Sequence, residues 1–394
     1  MSHRIRNRVR PYLINLTLLA VSTIIALSVG EILLRMFEPV EMRLQGNQIH
    51  LTTNHALIIE NNKIDKLDRQ IRQTRNSIGF RGENPPLNFK QTLTLLAVGG
   101  STTECYYLSD GETWPEVLGN ALKASFSPIW INNAGLDGHS TYGHTYLMRD
   151  YIAAIRPQVV LFLIGVNDIG LDKSSPYDDF FLNASKNARD SSREKPSLWS
   201  AIRHRHQILS TLAEYSYVVN LALNIGRSIM ASKGGLGHGQ VNFARLASLP
   251  MTDTQKRDDL EKHRIEYLPL FQERLVKLVE LTRSLDIEPI LITQPAMWGY
   301  GVDPVTGSDL GPASAFFWDR LELYNDVTRQ VGKQRSIPVI DLASEMPKLS
   351  TYYYDWFHFS PAGAAKVAEI VATGLTPILA TEYPDFRRSA QLGR

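Results

Sequence analysis

Leu93-Thr94-Leu95-Leu96-Ala97-Val98 runs directly into Gly99-Gly100-Ser101-Thr102-Thr103-Glu104, and the fold turns on how this junction is read. An apolar run without polar alternation indicates a strand buried on both faces, as in a parallel sheet; two glycines and a serine after it mark a turn into a helix. Outward from the junction, similar runs recur at Ile129-Trp130-Ile131, Val159-Val160-Leu161-Phe162-Leu163-Ile164, Pro289-Ile290-Leu291-Ile292-Thr293 and Ile337-Pro338-Val339-Ile340. Helical patterns fill the gaps, at about residues 113–126, 142–155, 253–285, 315–333 and 361–375. Strands alternating with helices predict a three-layer α/β/α domain with a five-stranded parallel sheet and right-handed crossovers.

The chain has 394 residues, 43% of them hydrophobic and 21% charged, which is enough apolar material for a full core and too ordinary for a disordered or fibrous chain. Its 42 Lys and Arg against 40 Asp and Glu leave +2, a balance that argues against nucleic acid as a partner. A single cysteine, Cys105, excludes an intrachain disulfide and any CxxC zinc or redox motif; one helical turn past Ser101, it reads as a small buried hydrophobe.

The N-terminus departs from this average. Arg4, Arg6, Arg8 and Arg10 precede an uncharged stretch from Tyr12 to Gly30, which as a helix spans roughly 28 Å, close to the ~30 Å of bilayer hydrocarbon. Its length favours an uncleaved transmembrane anchor over a signal peptide cut near Ala26-Leu27-Ser28, and its lack of a polar face argues against a buried helix of a soluble domain. Glu31 and Arg35 stand four apart, spaced to pair at headgroup level. The basic start places the N-terminus in the cytoplasm and everything after about residue 37 outside, as in a single-pass protein with residues 12–34 in the lipid bilayer.

The expected organisation is therefore an anchor at 1–37, a polar stalk or N-terminal wrap at 38–91, an α/β domain at 92–380 and a tail at 381–394. A mainly helical insert at about 171–250 interrupts the strand rhythm. Its apolar stretch from His206 to Met230 reads as packing on the domain, with contact to the bilayer surface as the alternative; the glycines from Gly234 to Gly239 read as a flexible connection.

In an open α/β sheet, ligands sit beyond the carboxyl ends of the strands. Ser101, at a strand-to-helix turn, can present its hydroxyl there with its backbone N–H at a helix N-terminus, although a serine at this place also serves as a plain cap. After the second strand, Gly138 can bring a backbone N–H to a reacting oxygen; after the third, the Asn167 amide can point into the same crevice. Asp355 and His358, three apart near the C-terminus, can set a carboxylate on one ring nitrogen and leave the other to take a proton from a serine. Taken singly each is weak; in conjunction they supply nucleophile, base, orienting acid and oxyanion donors. Trp298 and Tyr300 after the fourth strand, Trp356 between acid and base, and His139 in the second-strand loop are candidate substrate contacts. For His139 and the nearby His144 a place in the turn or on the helix surface competes with one in the cleft.

With these four blocks in order, the sequence resembles the SGNH, or GDSL-type, hydrolase family over about residues 92–378. Ser101 matches the nucleophile of its first block, Gly138 and Asn167 match the oxyanion glycine and the asparagine of G-x-N-D, and Asp355 with His358 match D-x-x-H. The resemblance implies a flavodoxin-like sheet of order 2-1-3-4-5 and metal-free, cofactor-free ester chemistry. The first block departs from Gly-Asp-Ser-Leu, reading Gly99-Gly100-Ser101-Thr102, which weakens a lipase-like assignment. With the anchor, it looks more like bacterial membrane-anchored members, which implies an inner-membrane protein facing the periplasm, and the expected substrate is a short-chain acyl ester, with acylated cell-surface glycans as the suspected class. An O-acyltransferase could use the same triad, and a non-catalytic glycan-binding or assembly protein would need a broken one. An α/β-hydrolase would need G-x-S-x-G, which is missing, and a metallohydrolase would need clustered ligands; His204 and His206 read instead as a solvated basic face.

Overall fold

The computed structural model describes residues 2–37, 44–45, 48–49, 51–173, 178, 212–213, 215–233 and 238–388. It divides into two compact units, residues 1–51 with 183–230, and residues 52–182 with 231–394.

The smaller unit contains helix α1 (Ser2–Phe37) and a minimal hairpin of β1 (Leu44–Gln45) and β2 (Gln48–Ile49). Ile14–Phe37 forms a 24-residue apolar stretch of mean hydropathy 2.1 with none of its most apolar window buried. The later part of this unit enters the helix Tyr217–Lys233.

The larger unit begins with an antiparallel hairpin, β3 (His55–Glu60) and β4 (Gln70–Arg75). Its connection sends Ile64 and Leu67 into the hydrophobic core of the α/β domain. The domain proper runs β5 (Leu93–Gly99), α2 (Ser101–Glu104), α3 (Trp114–Leu122), β6 (Ile129–Asn133), α4 (Thr141–Tyr146), α5 (Ala153–Ile155) and β7 (Val159–Ile164). After the helix at Tyr217–Lys233, here α6, come α7 (Asp253–Lys262), α8 (Leu268–Ser284), β8 (Glu288–Thr293), α9 (Gly311–Arg335), β9 (Val339–Ile340), α10 (Leu342–Glu345) and α11 (Pro361–Glu382).

The five domain strands form one parallel sheet of order β6-β5-β7-β8-β9, the 2-1-3-4-5 arrangement that the family resemblance implies. All seven residues of β5 and all six of β7 are buried, as continuous apolar runs require when both faces are covered. Pairing of Gly99 with Leu163 and of Ile164 with Thr293 aligns the strand ends, so the turns after β5, β7 and β8 open along one edge. Hydrogen bonds from Ala134 N–H to the Ala97 carbonyl (2.8 Å) and from Leu136 N–H to the Gly99 carbonyl (3.0 Å) carry the loop after β6 to the same edge.

Several elements differ in extent from the sequence pattern. The last strand is shorter than the expected 337–340, because Pro338 gives its carbonyl to Leu291 N–H (3.0 Å) but has no N–H to return. The fourth expected helix starts at Gly311, with Pro312 at the position where a fixed φ and a missing N–H are tolerated. The last helix continues to Glu382, beyond which Ser127 N–H bonds to the Phe386 carbonyl (2.8 Å) and Arg388 N–H to that of Ser125 (2.9 Å). Although α11 is long and apolar enough to pass as a membrane span, 44% of its window is buried as a domain helix. Of the stretch from His206 to Met230, the described residues fall in the same compact unit as α1.

Arg81 links the N-terminal segment to the sheet. Its guanidinium is fully buried and donates to the carbonyls of Glu104 (3.0 Å), Cys105 (2.9 Å) and Leu108 (2.7 Å) and to the Asp110 carboxylate (3.1 Å). Replacing it by Met keeps much of the stem but strands these acceptors, so Arg81→Met is expected to lower stability by about 3–5 kcal/mol, read as a shift in the urea midpoint. An unchanged midpoint would contradict this role.

Candidate active site

The site is assembled from the turns at the sheet edge. Ser101 is the first residue of α2 and buried, with Gly100 before it in a non-helical conformation. A side chain at Gly100 would collide with the Asn167 amide nitrogen, so the glycine is required by how closely that amide approaches the serine backbone. Gly138 has φ +74°, a conformation that other residues adopt at a cost. Among the described residues, neither the Ser101 N–H nor the Gly138 N–H donates to a protein acceptor. The Asn167 amide gives one hydrogen to the His139 carbonyl (3.0 Å), which orients the NH₂ and leaves its second hydrogen for a ligand.

His358 reaches this edge from a tight turn closed by Tyr354 N–H on the His358 carbonyl (3.1 Å), followed by α11, capped by Ser360. One Asp355 oxygen accepts from the backbone N–H groups of Phe357 (3.0 Å) and His358 (2.8 Å); the other lies 2.7 Å from His358 Nδ1. A carboxylate only accepts, so Nδ1 carries the proton and Nε2 is the acceptor. Nε2 lies 2.8 Å from Ser101 Oγ, and all three side chains are buried. This arrangement can deprotonate a serine hydroxyl and hold the resulting imidazolium against a carboxylate.

The profile of the GDSL-like lipase/acylhydrolase family matches residues 97–223. Over these residues the α/β domain is similar to this family. Among solved structures, the GDSL-type chain is similar to the lipase/acylhydrolase from Enterococcus faecalis, at 15% identity over 72% of this chain and 96% of that one, TM-score 0.39. It is also similar to Axe2, an acetylxylan esterase from Geobacillus stearothermophilus, at 15% identity over 72% and 92% of the two chains, TM-score 0.38. None of the curated proteins matches it. The family match makes the domain an ester hydrolase of the GDSL/SGNH type.

The four candidate substrate contacts lie in different surroundings. Trp298 is half-buried and touches Phe357 (centroids 5.5 Å apart), whose ring is 4.5 Å from that of His358. Tyr300 is exposed, and its hydroxyl is taken up by the Asp319 carboxylate (2.7 and 2.8 Å). Trp356 meets Phe243 edge-on at 5.3 Å and packs against the hydrophobic core. The His139 side chain is buried, and it is the carbonyl of that residue that serves the site, by holding Asn167.

Several residues that support the GDSL/SGNH site carry no local sequence signal. Glu104, three residues past the serine, is fully buried; it pairs with Arg75 (3.0 Å) and accepts the Asp137 N–H (2.5 Å), fixing the residue before Gly138. Beside Asn167, buried Asp168 accepts from Thr141 Oγ1 (2.6 Å) and from Arg274 of α8 (3.3 Å); burial pushes its carboxyl up and the guanidinium opposes this. Asp178 caps α4 through Ser140 Oγ (2.6 Å) and Gly143 N–H (2.8 Å). His238 lies over His358 (4.2 Å between centroids) and bonds to the Tyr354 hydroxyl (2.7 Å). His238, Asp355 and His358 offer ligand atoms within 4.8 Å of one another. A cation there would displace the proton shared by His358 and Asp355, so the hydrogen bonds fit a proton relay better than a metal centre.

His144 is buried rather than on the helix surface, with no partner for Nδ1 among the described residues. Burial pushes its imidazole down from 6.5 to about 3. Below pH 6.5 the unfolded chain takes up a proton that the folded chain refuses, so this contribution is complete above 6.5 and is lost as pH falls towards 3. His144→Gln should flatten the acid limb of stability, by up to about 1.4 kcal/mol per pH unit, in urea midpoints measured across that range. Equal slopes for both proteins would refute the assignment.

Proposed function

We propose that the protein is a membrane-anchored serine esterase that cleaves short-chain acyl esters through an acyl-enzyme on Ser101. The observation that carries this reading is the unbroken hydrogen-bond path from Ser101 Oγ through His358 to Asp355, at 2.8 and 2.7 Å. In the reaction, His358 Nε2 takes the Ser101 proton as Oγ attacks the ester carbonyl. The oxyanion meets the N–H groups of Ser101 and Gly138 and the amide of Asn167. His358 then returns the proton to the departing alcohol, and a water activated by the same nitrogen releases the acid.

The rings of Tyr354, Phe357 and His238 crowd His358, which favours a small acyl group. Trp298, next in the aromatic row, offers a face on which a sugar could stack, in keeping with an acylated cell-surface glycan as substrate. The apolar, exposed stretch Ile14–Phe37 after four arginines supports an anchor with the domain outside the cytoplasm.

Ser101→Ala is expected to lower hydrolysis of p-nitrophenyl acetate by at least about 10⁴-fold and to abolish labelling by a fluorophosphonate. Asn167→Ala should reduce kcat by about 10²–10³ with a smaller change in KM. Wild-type turnover by the Ser101 variant would sink the reading.

A further inference from the structure

Among the described residues of the smaller unit, many large apolar side chains are exposed. Along α1, Leu16, Leu18, Ile24 and Ile32 are all exposed. At the start of α6 and just before it the same holds: Leu212, Tyr215 and Ile225 are 50%, 75% and 51% exposed, whereas Asn220 is 1% exposed. In water a helix does the reverse, hiding its apolar stripe and showing its amides. Helices that turn large apolar side chains outward are matched to lipid.

Glu31 is the only acid in the apolar stretch of α1, and its carboxylate is satisfied by α6. It accepts from Ser216 Oγ (2.9 Å), Tyr217 N–H (2.9 Å) and Val218 N–H (3.1 Å), which are donors at the start of that helix. Arg35 completes the joint, donating to Glu31 (2.8 Å) and to the Tyr215 carbonyl (2.7 Å) with its guanidinium 5.5 Å from the Tyr217 ring centroid. Glu31 lies about 26 Å along the helix from Ile14, which puts the joint at the far boundary of a ~30 Å hydrocarbon layer. Tyrosine and arginine are the residues that such a boundary favours.

We propose that α6 is a second membrane contact, lying in the headgroup boundary of the bilayer on the same side as the esterase domain and clamped to the anchor by Glu31 and Arg35. The insert would thus return the chain to the membrane after the third sheet strand. Lipid is the occupant that fits, because Ile225 of α6 is exposed like the apolar residues of α1 to which the start of α6 is bonded. The proposal rests on the reading of α1 as an anchor, and its test separates the two.

The full-length protein is placed in nanodiscs of phosphatidylcholine and phosphatidylglycerol, with the fluorophore NBD attached at Ile225→Cys or, separately, at Leu19→Cys; buried Cys105 stays unlabelled. Lipids carrying a doxyl quencher near the headgroup should remove most of the emission at position 225, and lipids carrying it near the chain end most of that at 19. Quenching at 19 with none at 225 overturns the proposal and leaves the anchor standing, whereas no quenching at 19 removes the anchor and the proposal together. Self-quenching at 225 between labelled copies, without lipid quenching, would make a second copy the occupant and also overturn it. Glu31→Leu should abolish quenching at 225 and leave it at 19, and Glu31→Gln, which keeps an acceptor, should restore part of it. Full quenching at 225 in Glu31→Leu would disprove the clamp.

Discussion

Parallel pairing of β5 with β6 on one side and β7 on the other is the constraint on which the rest of the domain depends. A parallel pair cannot be closed by a hairpin, so each strand must be followed by a crossover that covers the sheet, and the turns after the strands collect at one edge. The register then decides which residues meet. Gly99 opposite Leu163 brings the Ser101 turn beside the turn that holds Asn167, and the bonds from Ala134 and Leu136 back to β5 bring Gly138 to the same place. A slip of one residue would turn every buried side chain of β5 to the opposite face.

Placement at the edge is not enough to hold a site, since turns exposed at a sheet edge are free to move. Two buried ion pairs fix them. Arg75 and Glu104 tie the N-terminal hairpin to the helix carrying Ser101 and to the N–H preceding Gly138; Arg274 and Asp168 tie α8 to the residue after Asn167 and to the start of α4. Buried charges of this kind contribute little net stability, but removing one partner leaves the other stranded, so their effect is to make one arrangement of the turns far better than its neighbours. Arg81 acts in the same way on the carbonyls that end α2.

The smaller unit follows the opposite rule. The large apolar residues described along its first helix are exposed, and the one acid within that apolar helix finds donors on a segment nearly two hundred residues later in the chain. Such a charge is tolerable because the carboxylate is fully hydrogen-bonded. Neither half of that joint is recognisable alone: in sequence Glu31 is spaced to pair with Arg35, and the stretch from His206 to Met230 reads as domain packing or as contact with the bilayer surface.

What the sequence by itself determined was the part written in local patterns. Continuous apolar runs specified the parallel sheet, and glycine, serine, asparagine and the D-x-x-H spacing specified which residues stand at its edge, because strand burial and turn chemistry depend on near neighbours. Long-range complementarity was left to the tertiary structure. That Arg75 would meet Glu104, that His238 would cover His358, and that Trp356 would face the core while Trp298 faced Phe357 depend on side chains brought together from distant stretches. A buried charge and a solvated one are the same letter in a sequence; only packing, which sets how much water each retains, separates them.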